Sequence, residues 1–544
     1  MQYTVDFEPI GRRGICPADQ TLLEASHQLG VDLVSLCGGK GTCHRCRVQV
    51  ITGEVSPPTN NEKEALSRHE LKDGYRLACQ TYPRSDCKLR VPPESLTAPQ
   101  RTQVDGIEVA VNPDPPVFTD HPELLSHSRH DRHIGLALDI GTTKLAGYIL
   151  DLDSGRTLAS RGLMNPQIAH GEDIIARLVY ARRSPSDAKV LQKTIIDALN
   201  SMVADLCSEI GASSEEILEA VAVGNTAMHH LLLNLPIERL AVSPFEPSVQ
   251  GAMDVKASDI GLRIAPGACV HTLPNIAGFV GADHVAMLLA TGITRSPDTV
   301  LALDIGTNTE VSLVRNGEYL CVSCASGPAF EGAHIKDGMR AAPGAIERVE
   351  IDENTVEYQT IGGAAPAGIC GSGILDALAQ LYKIGVVSGR GRMGDHPRVR
   401  ELNSKREFVL VSEDDRHGQP AITVTQDDVR ELQLAKGAIR TGIDVLLQTA
   451  GCTERELDAV VIAGAFGSYI DVASASMIGM LPSLATDKFR HVGNAAGTGA
   501  RLALISRDKR YEANEIAGDV RYVELGTYPD FMKIFVDATR IGRG

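Results

Sequence analysis

Tryptophan is absent from the 544 residues, and aromatic side chains make up only 4% of them. With so few rings, a platform for stacking unpaired bases is not expected. Cationic excess is missing too: 53 Lys and Arg stand against 69 Asp and Glu, a net charge of −16. That balance speaks against nucleic acid or an anionic membrane as a general partner. No uninterrupted apolar run reaches the length that crosses a bilayer, so no membrane span is expected. The opening residues, with Tyr3, Val5 and Phe7 alternating with polar neighbours, carry neither the basic nor the apolar stretch of a secretion signal. A cytoplasmic chain is therefore expected, and its twelve cysteines read as metal ligands or buried thiols rather than disulfides. Hydrophobic residues at 43% and charged residues at 22% are ordinary for a globular protein. The length is too great for one core, and roughly two to four domains are expected.

What the chain does contain is a repeated sentence. Residues 136–142 and 301–307 both read Leu-Ala-Leu-Asp-Ile-Gly-Thr. Identity over a whole stretch of this kind marks an internal duplication. Each copy is an apolar run, an Asp, a Gly-Thr turn and a second β-prone run, which spells a buried strand turning through glycine into a hairpin. Glycine lets the backbone close on a ligand, threonine hydroxyls and turn amides can hold phosphate oxygens, and an Asp at the strand end can orient a hydrated cation. Two such hairpins face to face make a phosphate clamp; a duplicated hairpin with no ligand is the plainer alternative. A second echo supports the duplication: residues 216–225 resemble residues 455–464, each a helix end, an apolar strand and a glycine turn. The second copy is longer, and its polar stretch 389–418 reads as an insertion. Gly-rich turns at 362–373 and 493–500 precede helices, where free amides can meet an anion.

The first 92 residues stand apart. A strand at Tyr3–Phe7 is followed by a second ending near Pro17 and a helix over residues 21–29 capped by Asp19 or Thr21. Then Cys37, Cys43 and Cys46 sit in a glycine-rich loop, with Cys79 as a distant fourth: C-x5-C-x2-C, thirty-two residues, C. Three thiolates on one tight loop with one remote partner is the plant-type [2Fe–2S] arrangement with one extra residue in the first gap. Zinc could use four cysteines, but structural zinc sites draw them as two short pairs. Cys16 and Cys87 fall outside the pattern and are expected to be plain thiols. So are Cys321 and Cys324, whose C-x-x-C lies in a β-prone run that would point them to opposite faces. Prolines and polar residues over 93–132 read as a linker or small connecting module, with His121, His127, His130 and His133 matching no ligand template.

Over about the first 90 residues the chain resembles the [2Fe–2S] ferredoxins, with their β-grasp fold, and the longer first gap is similar to the adrenodoxin-like branch. The duplicated Asp-Ile-Gly-Thr hairpins and the late turn at 464–468 resemble the superfamily of sugar kinases, heat-shock chaperones and actin, in which two ribonuclease-H-like halves close on ATP. That resemblance implies a first phosphate motif at Asp139, Gly141, Thr142, Thr143 and Lys144. It implies a second at Asp304, Gly306, Thr307, Asn308, Thr309 and Glu310, and an adenosine motif at Gly464, Ala465, Phe466 and Gly467. Asp139 and Asp304 would hold Mg2+ and its water and are the catalytic candidates. The adenosine motif departs from the usual Gly-Gly pair, with Ala465 in the second place.

The order of these parts resembles the reductive activators of corrinoid-dependent enzymes. The likeness extends over nearly the whole chain, including Asn165-Pro166-Gln167, residues 223–229, residues 274–278 and residues 325–332. It implies an α/β multidomain architecture: a ferredoxin-like domain at 1–92, a linker at 93–132, and ribonuclease-H-like halves at 133–300 and 301–544. It further implies ATP-dependent reduction of a Co(II) corrinoid to Co(I) on a protein of a methyltransferase system, an upstream electron donor and a homodimer. Three other readings stay open. A dehydratase activator of the same superfamily bridges its cluster between subunits and lacks a separate ferredoxin domain. A small-molecule kinase has no use for the cysteine loop. A non-catalytic redox sensor would bind nucleotide without turnover.

Overall fold

The computed structural model describes residues 2–8, 12–29, 31, 33, 41, 46–92, 95, 104, 106–127, 132–171, 173–332, 334–352, 355–402, 404–416, 418–464, 466–467 and 469–542. Cys37, Cys43, Ala465 and His130 lie outside these residues.

Strands β1 (Gln2–Glu8), β2 (Arg12–Pro17), β3 (Arg47–Thr52), β4 (Tyr75–Leu77) and β5 (Cys87–Arg90) form one sheet in the order β2-β1-β5-β3-β4. β1 and β5 run parallel at its centre, and the flanking pairs are antiparallel. The helix Leu22–Gln28 packs into the same core. Its start is fixed by a reciprocal cap: the Thr21 amide donates to the Glu24 carboxylate at 2.8 Å, and the Glu24 amide donates back to the Thr21 hydroxyl at 3.2 Å. Thr21, rather than Asp19, is thus the cap. The mixed sheet with a helix packed on it is the ferredoxin-like β-grasp expected of the first 92 residues.

The duplication is visible strand by strand. The first half holds β6 (Ile134–Ile140), β7 (Lys144–Asp151), β8 (Thr157–Met164), β9 (Ile217–Gly224), β10 (Met253–Lys256) and β11 (Cys269–Thr272), ordered β10-β11-β9-β6-β7-β8. The second holds β12 (Val300–Ile305), β13 (Thr309–Arg315) and β14 (Glu318–Cys324). Two small three-stranded sheets follow, β15 (Ala345–Ile351), β16 (Val356–Thr360) and β17 (Gly368–Ile369), then β18 (Val399–Leu402), β19 (Lys405–Val411) and β20 (Ile422–Thr425). With β21 (Ala459–Ala463), β22 (Phe489–Gly493) and β23 (Arg521–Tyr522), the main sheet reads β22-β21-β12-β13-β14-β23. In both halves the repeat strand is hairpinned on one side and takes a parallel strand on the other, with Asp139 opposite Val223 and Asp304 opposite Ala463. Even the turns that feed β9 and β21 match: the Ser213 amide donates to Glu216 and the Thr453 amide to Glu456, each at 2.8 Å. β6 and β12 are almost wholly buried, as continuous apolar runs in a covered sheet must be. The polar stretch 389–418 contributes β18 and β19 to one of the added sheets.

Two features depart from the sequence reading. The division at residue 301 separates the sheets but not the cores: the helices Ala495–Ile505 and Arg507–Asp519 pack with Ala282–Thr291 into the first half. Helix Ala282–Thr291 also reaches the second sheet, its His284 Nε2 lying 2.6 Å from the Ser312 hydroxyl. Further, the stretch read as a linker or small connecting module is packed where it is described. The Val104 carbonyl accepts from the Tyr148 hydroxyl at 2.6 Å, Ile107 from Thr498 at 3.1 Å, and Val117 and Leu124 are buried in the first-half core. Its valines and leucines, spaced between prolines, supply the apolar surface that a free tether would lack.

Candidate functional site

The two repeat turns open into one cleft between the halves. Asp139 and Asp304 are the penultimate residues of β6 and β12, and both line it, with Gly141, Thr142, Thr143 and Lys144 on one side and Gly306, Thr307, Asn308 and Glu310 on the other. The Thr143 and Thr307 hydroxyls lie 2.9 Å apart, so the duplicated turns touch across the gap. Glycine permits this closeness at equivalent places. A Cβ on Gly224 would stand 2.6 Å from the Ile140 carbonyl, and one on Gly464, at φ +90°, 2.5 Å from the Ile305 carbonyl.

Three asparagines fix the first turn. Asn165 donates to the Gly141 carbonyl and Asn225 to the Thr142 hydroxyl, each at 2.9 Å, and Asn494 donates to the Asp139 carboxylate at 2.8 Å. Asn225 and Asn494 also cap the helices Thr226–Leu233 and Ala495–Ile505, so each positions a helix start and a cleft residue at once. On the second turn, Thr307 donates to Glu331 at 2.6 Å.

Among the carboxylates that line the cleft, Asp139, Asp283, Asp304 and Glu310 act on one another. Burial pushes Asp139 up to about 6. Burial and Asp139 push Asp304 up to about 7, and burial with Asp304 and Asp139 pushes Asp283 up to about 8. Burial together with Asp283 and Asp304 raises Glu310 as well. Crowded carboxylates of this kind resist ionising together unless a cation joins them. Among the described residues no three acidic, His or Cys groups converge closely enough to enclose a metal alone. The donor set therefore fits a hard cation held partly by water and by the oxygens of a ligand. At the far end, Phe330 and Phe466 stack with centroids 5.1 Å apart and planes 17° apart.

In the N-terminal domain, Cys46 and Cys79 are buried in one core, and the Ala78 amide donates to the Cys46 carbonyl at 2.8 Å. Gly41, at φ +78°, lies against the turn carrying Cys79: a Cβ there would stand 2.9 Å from the Gln80 side chain. The Gln80 amide is 3.7 Å from the Cys79 sulfur. Two buried thiols in one core, with the Gln80 side-chain amide beside one of them, fit a cluster held by thiolates. Cys37 and Cys43 lie outside the described residues.

Residues 298–543 match the family described as the C-terminal domain of RACo, the ASKHA domain; residues 134–296 match the RACo middle region, and residues 7–84 the 2Fe-2S iron-sulfur cluster binding domain. The chain is 33% identical to the corrinoid activation enzyme RamQ of Eubacterium limosum, over 94% of its own length and 95% of the relative's. The chain belongs to the corrinoid activation enzyme family. It is also 28% identical, over 70% of its length and 72% of the relative's, to the [Co(II) methylated amine-specific corrinoid protein] reductase of Methanosarcina barkeri. Among solved structures, the reductive activator for corrinoid, iron–sulfur protein matches with a TM-score of 0.71 and 33% identity, covering 99% of this chain and 98% of that one.

Within this member of the family, most sequence-derived cleft residues meet at one wall. Thr309 does not: it is fully buried, its hydroxyl 3.0 Å from that of Ser326. Gly467 is also absent from the cleft wall, packed where a Cβ would stand 2.3 Å from the Ala463 carbonyl. Asp283 and Arg340 reach the cleft without having been singled out from the sequence, while Asn225, Asn494 and Glu331 fell in stretches that were singled out but were given no role of their own. Asp283 had a signal: it enters the first turn of its helix just after Gly281, whose missing side chain lets the backbone approach Asn225. Cys321 and Cys324 are buried, and burial raises both thiols, as expected of inert cysteines.

Proposed function

We propose that the chain is an ATP-dependent reductive activator that delivers one electron to the Co(II) of a corrinoid held by a partner protein, yielding Co(I). The observation that carries this reading is the packing of a cysteine-loop domain onto both halves of a duplicated phosphate clamp. The [2Fe–2S] cluster, when bound, takes one electron from an upstream donor and gives up one, which balances the cobalt couple. Cys37, Cys43, Cys46 and Cys79 would hold it.

The residues of the clamp divide the work. Asp139 and Asp304, with Asp283 and Glu310, would hold a hydrated Mg2+, and the turn amides and hydroxyls of Thr142, Thr143 and Thr307 would hold phosphate oxygens. Gly464 brings its backbone close to the second repeat turn, and Phe466 lies further along the cleft wall. Nucleotide binding can favour one domain arrangement only through its different affinity for the two, typically about 1–3 kcal/mol. The partner is a corrinoid protein of a methyltransferase system, and the reading places the chain in the cytoplasm as a homodimer.

The test combines composition with turnover. The purified chain should carry iron and sulfide in equal amounts, and its ATP hydrolysis should rise when a corrinoid protein is added. Asp139→Asn and Asp304→Asn should each lower hydrolysis on the order of a hundredfold while leaving the cluster spectrum intact. Hydrolysis indifferent to the corrinoid protein would favour a redox sensor or kinase, and full activity in both variants would make the repeats structural.

A further inference from the structure

Two residues leave the N-terminal domain at its β1–β2 hairpin and enter the second half. Arg12, fully enclosed, donates to the Gly338 carbonyl at 2.7 Å and to the Ala367 carbonyl. Gly368 leaves room for it, since a Cβ there would lie 2.5 Å from the guanidinium. Two residues beyond Gly338, Arg340 donates to the Glu8 carboxylate at 3.0 Å, the two side chains 9% and 2% exposed. Arg340 also lies on the wall of the cleft that holds the repeat turns.

The opposite flank of the N-terminal domain rests on the first half, where β5 packs against the turn Pro166–His170. Behind that turn, Arg177 is buried and holds the Gly171 and Thr142 carbonyls. The Arg177 guanidinium feels the attraction of Asp173, Glu331 and Glu8 and the repulsion of Arg340. Glu331 in turn accepts from Thr307. These charges are tied to the first repeat turn through Arg177, to the second through Glu331, and to the N-terminal domain through Glu8.

We propose that Arg340 is a nucleotide-phosphate ligand whose resting partner is Glu8, so that the polyphosphate and the N-terminal domain compete for one guanidinium. This rests on the nucleotide reading given above. A guanidinium fork suits a carboxylate and a phosphate equally well in shape, and the more highly charged phosphate wins when both are within reach. Its arrival adds negative charge beside Glu331 and Glu8. Turning Arg340 into the cleft withdraws a buried cation from Glu8, which weakens the docking of the whole domain. The cluster-bearing domain is then released from its seat by the ligand itself, in time to meet a partner. Linkage makes the effect reciprocal: whatever undocks the domain must tighten nucleotide binding.

The test uses the full-length holoprotein and the non-hydrolysable β,γ-imido analogue of ATP with Mg2+, with affinity read by calorimetry. Glu8→Gln and Arg12→Gln should each bind the analogue about fivefold tighter or more than the wild type. Arg340→Gln should bind it more weakly, and adding Glu8→Gln to that variant should change nothing further. Hydrogen exchange over residues 336–342 and 166–170 should rise when the analogue binds the wild type, and stay flat in Arg340→Gln. If Glu8→Gln proves unstable, Arg12→Gln and the exchange measurement carry the same decision. Unchanged or weaker affinity in the Glu8 and Arg12 variants, or unchanged affinity in Arg340→Gln, overturns the competition. A wild-type chain that takes up no analogue at all overturns the nucleotide reading itself, and this inference with it.

Discussion

Cys16 and Cys87 flank β1 from its two neighbouring strands and share a core with Cys46 and Cys79. Burial, with Glu24 and Asp19 nearby, pushes the Cys16 thiol up to about 11; burial with Cys16, Asp86 and Asp6 pushes Cys87 up to about 12. Neither supplies thiolate at neutral pH, and both should resist alkylation at pH 8. Cys79→Ser should bleach or destabilise the iron–sulfur absorbance, while Cys16→Ser and Cys87→Ser should preserve it; an unchanged spectrum in Cys79→Ser would remove it from the ligand set. Spacing alone drew this distinction between the cysteines, because the cluster pattern calls for three thiolates on one short loop and a distant fourth. The remaining cleft chemistry was less legible. Arg340 carries no local motif, Asp283 only a glycine two residues before it, and both join Asp139 and Asp304 in one cleft only when strands far apart in the chain pair.

At the scale of the element, the duplication was readable because both β6 and β12 are apolar strands ending in an identical turn. The strands β18 and β19 were less so, since that polar stretch showed itself only as an insertion. Glycines at matched places test whether the repeat turns need their close backbone approach. Gly464→Ala would put a side chain at φ +90° against the Ile305 carbonyl and the Asp304 carboxylate, at 2.5 and 2.8 Å. It should cost about 1–3 kcal/mol of stability and weaken nucleotide binding. Gly224→Ala, 2.6 Å from the Ile140 carbonyl, should behave alike. Gly518→Ala, in the helix Arg507–Asp519 with open space around it, should be neutral or stabilising by up to about 1 kcal/mol. Thermal unfolding of the three variants decides this; equal midpoints would mean the turns tolerate a side chain.

At the scale of the molecule, three parts that sequence places in series are packed together. The segment after residue 103 runs along the helix Ala495–Ile505, and Gly106 pairs with Gly493 beside Asn494, the residue that holds Asp139. The N-terminal domain sits on both halves through Arg12, Glu8 and β5. Composition could not reveal either contact, because prolines and polar residues suit a packed strap as well as a free tether. The most direct measurement of the central claim follows the corrinoid itself. The pre-reduced chain is mixed with a corrinoid protein in its Co(II) state, and the absorbance of Co(I) is recorded with and without MgATP. Co(I) should accumulate with MgATP, and little should form without it. Equal Co(I) in both samples would contradict the account.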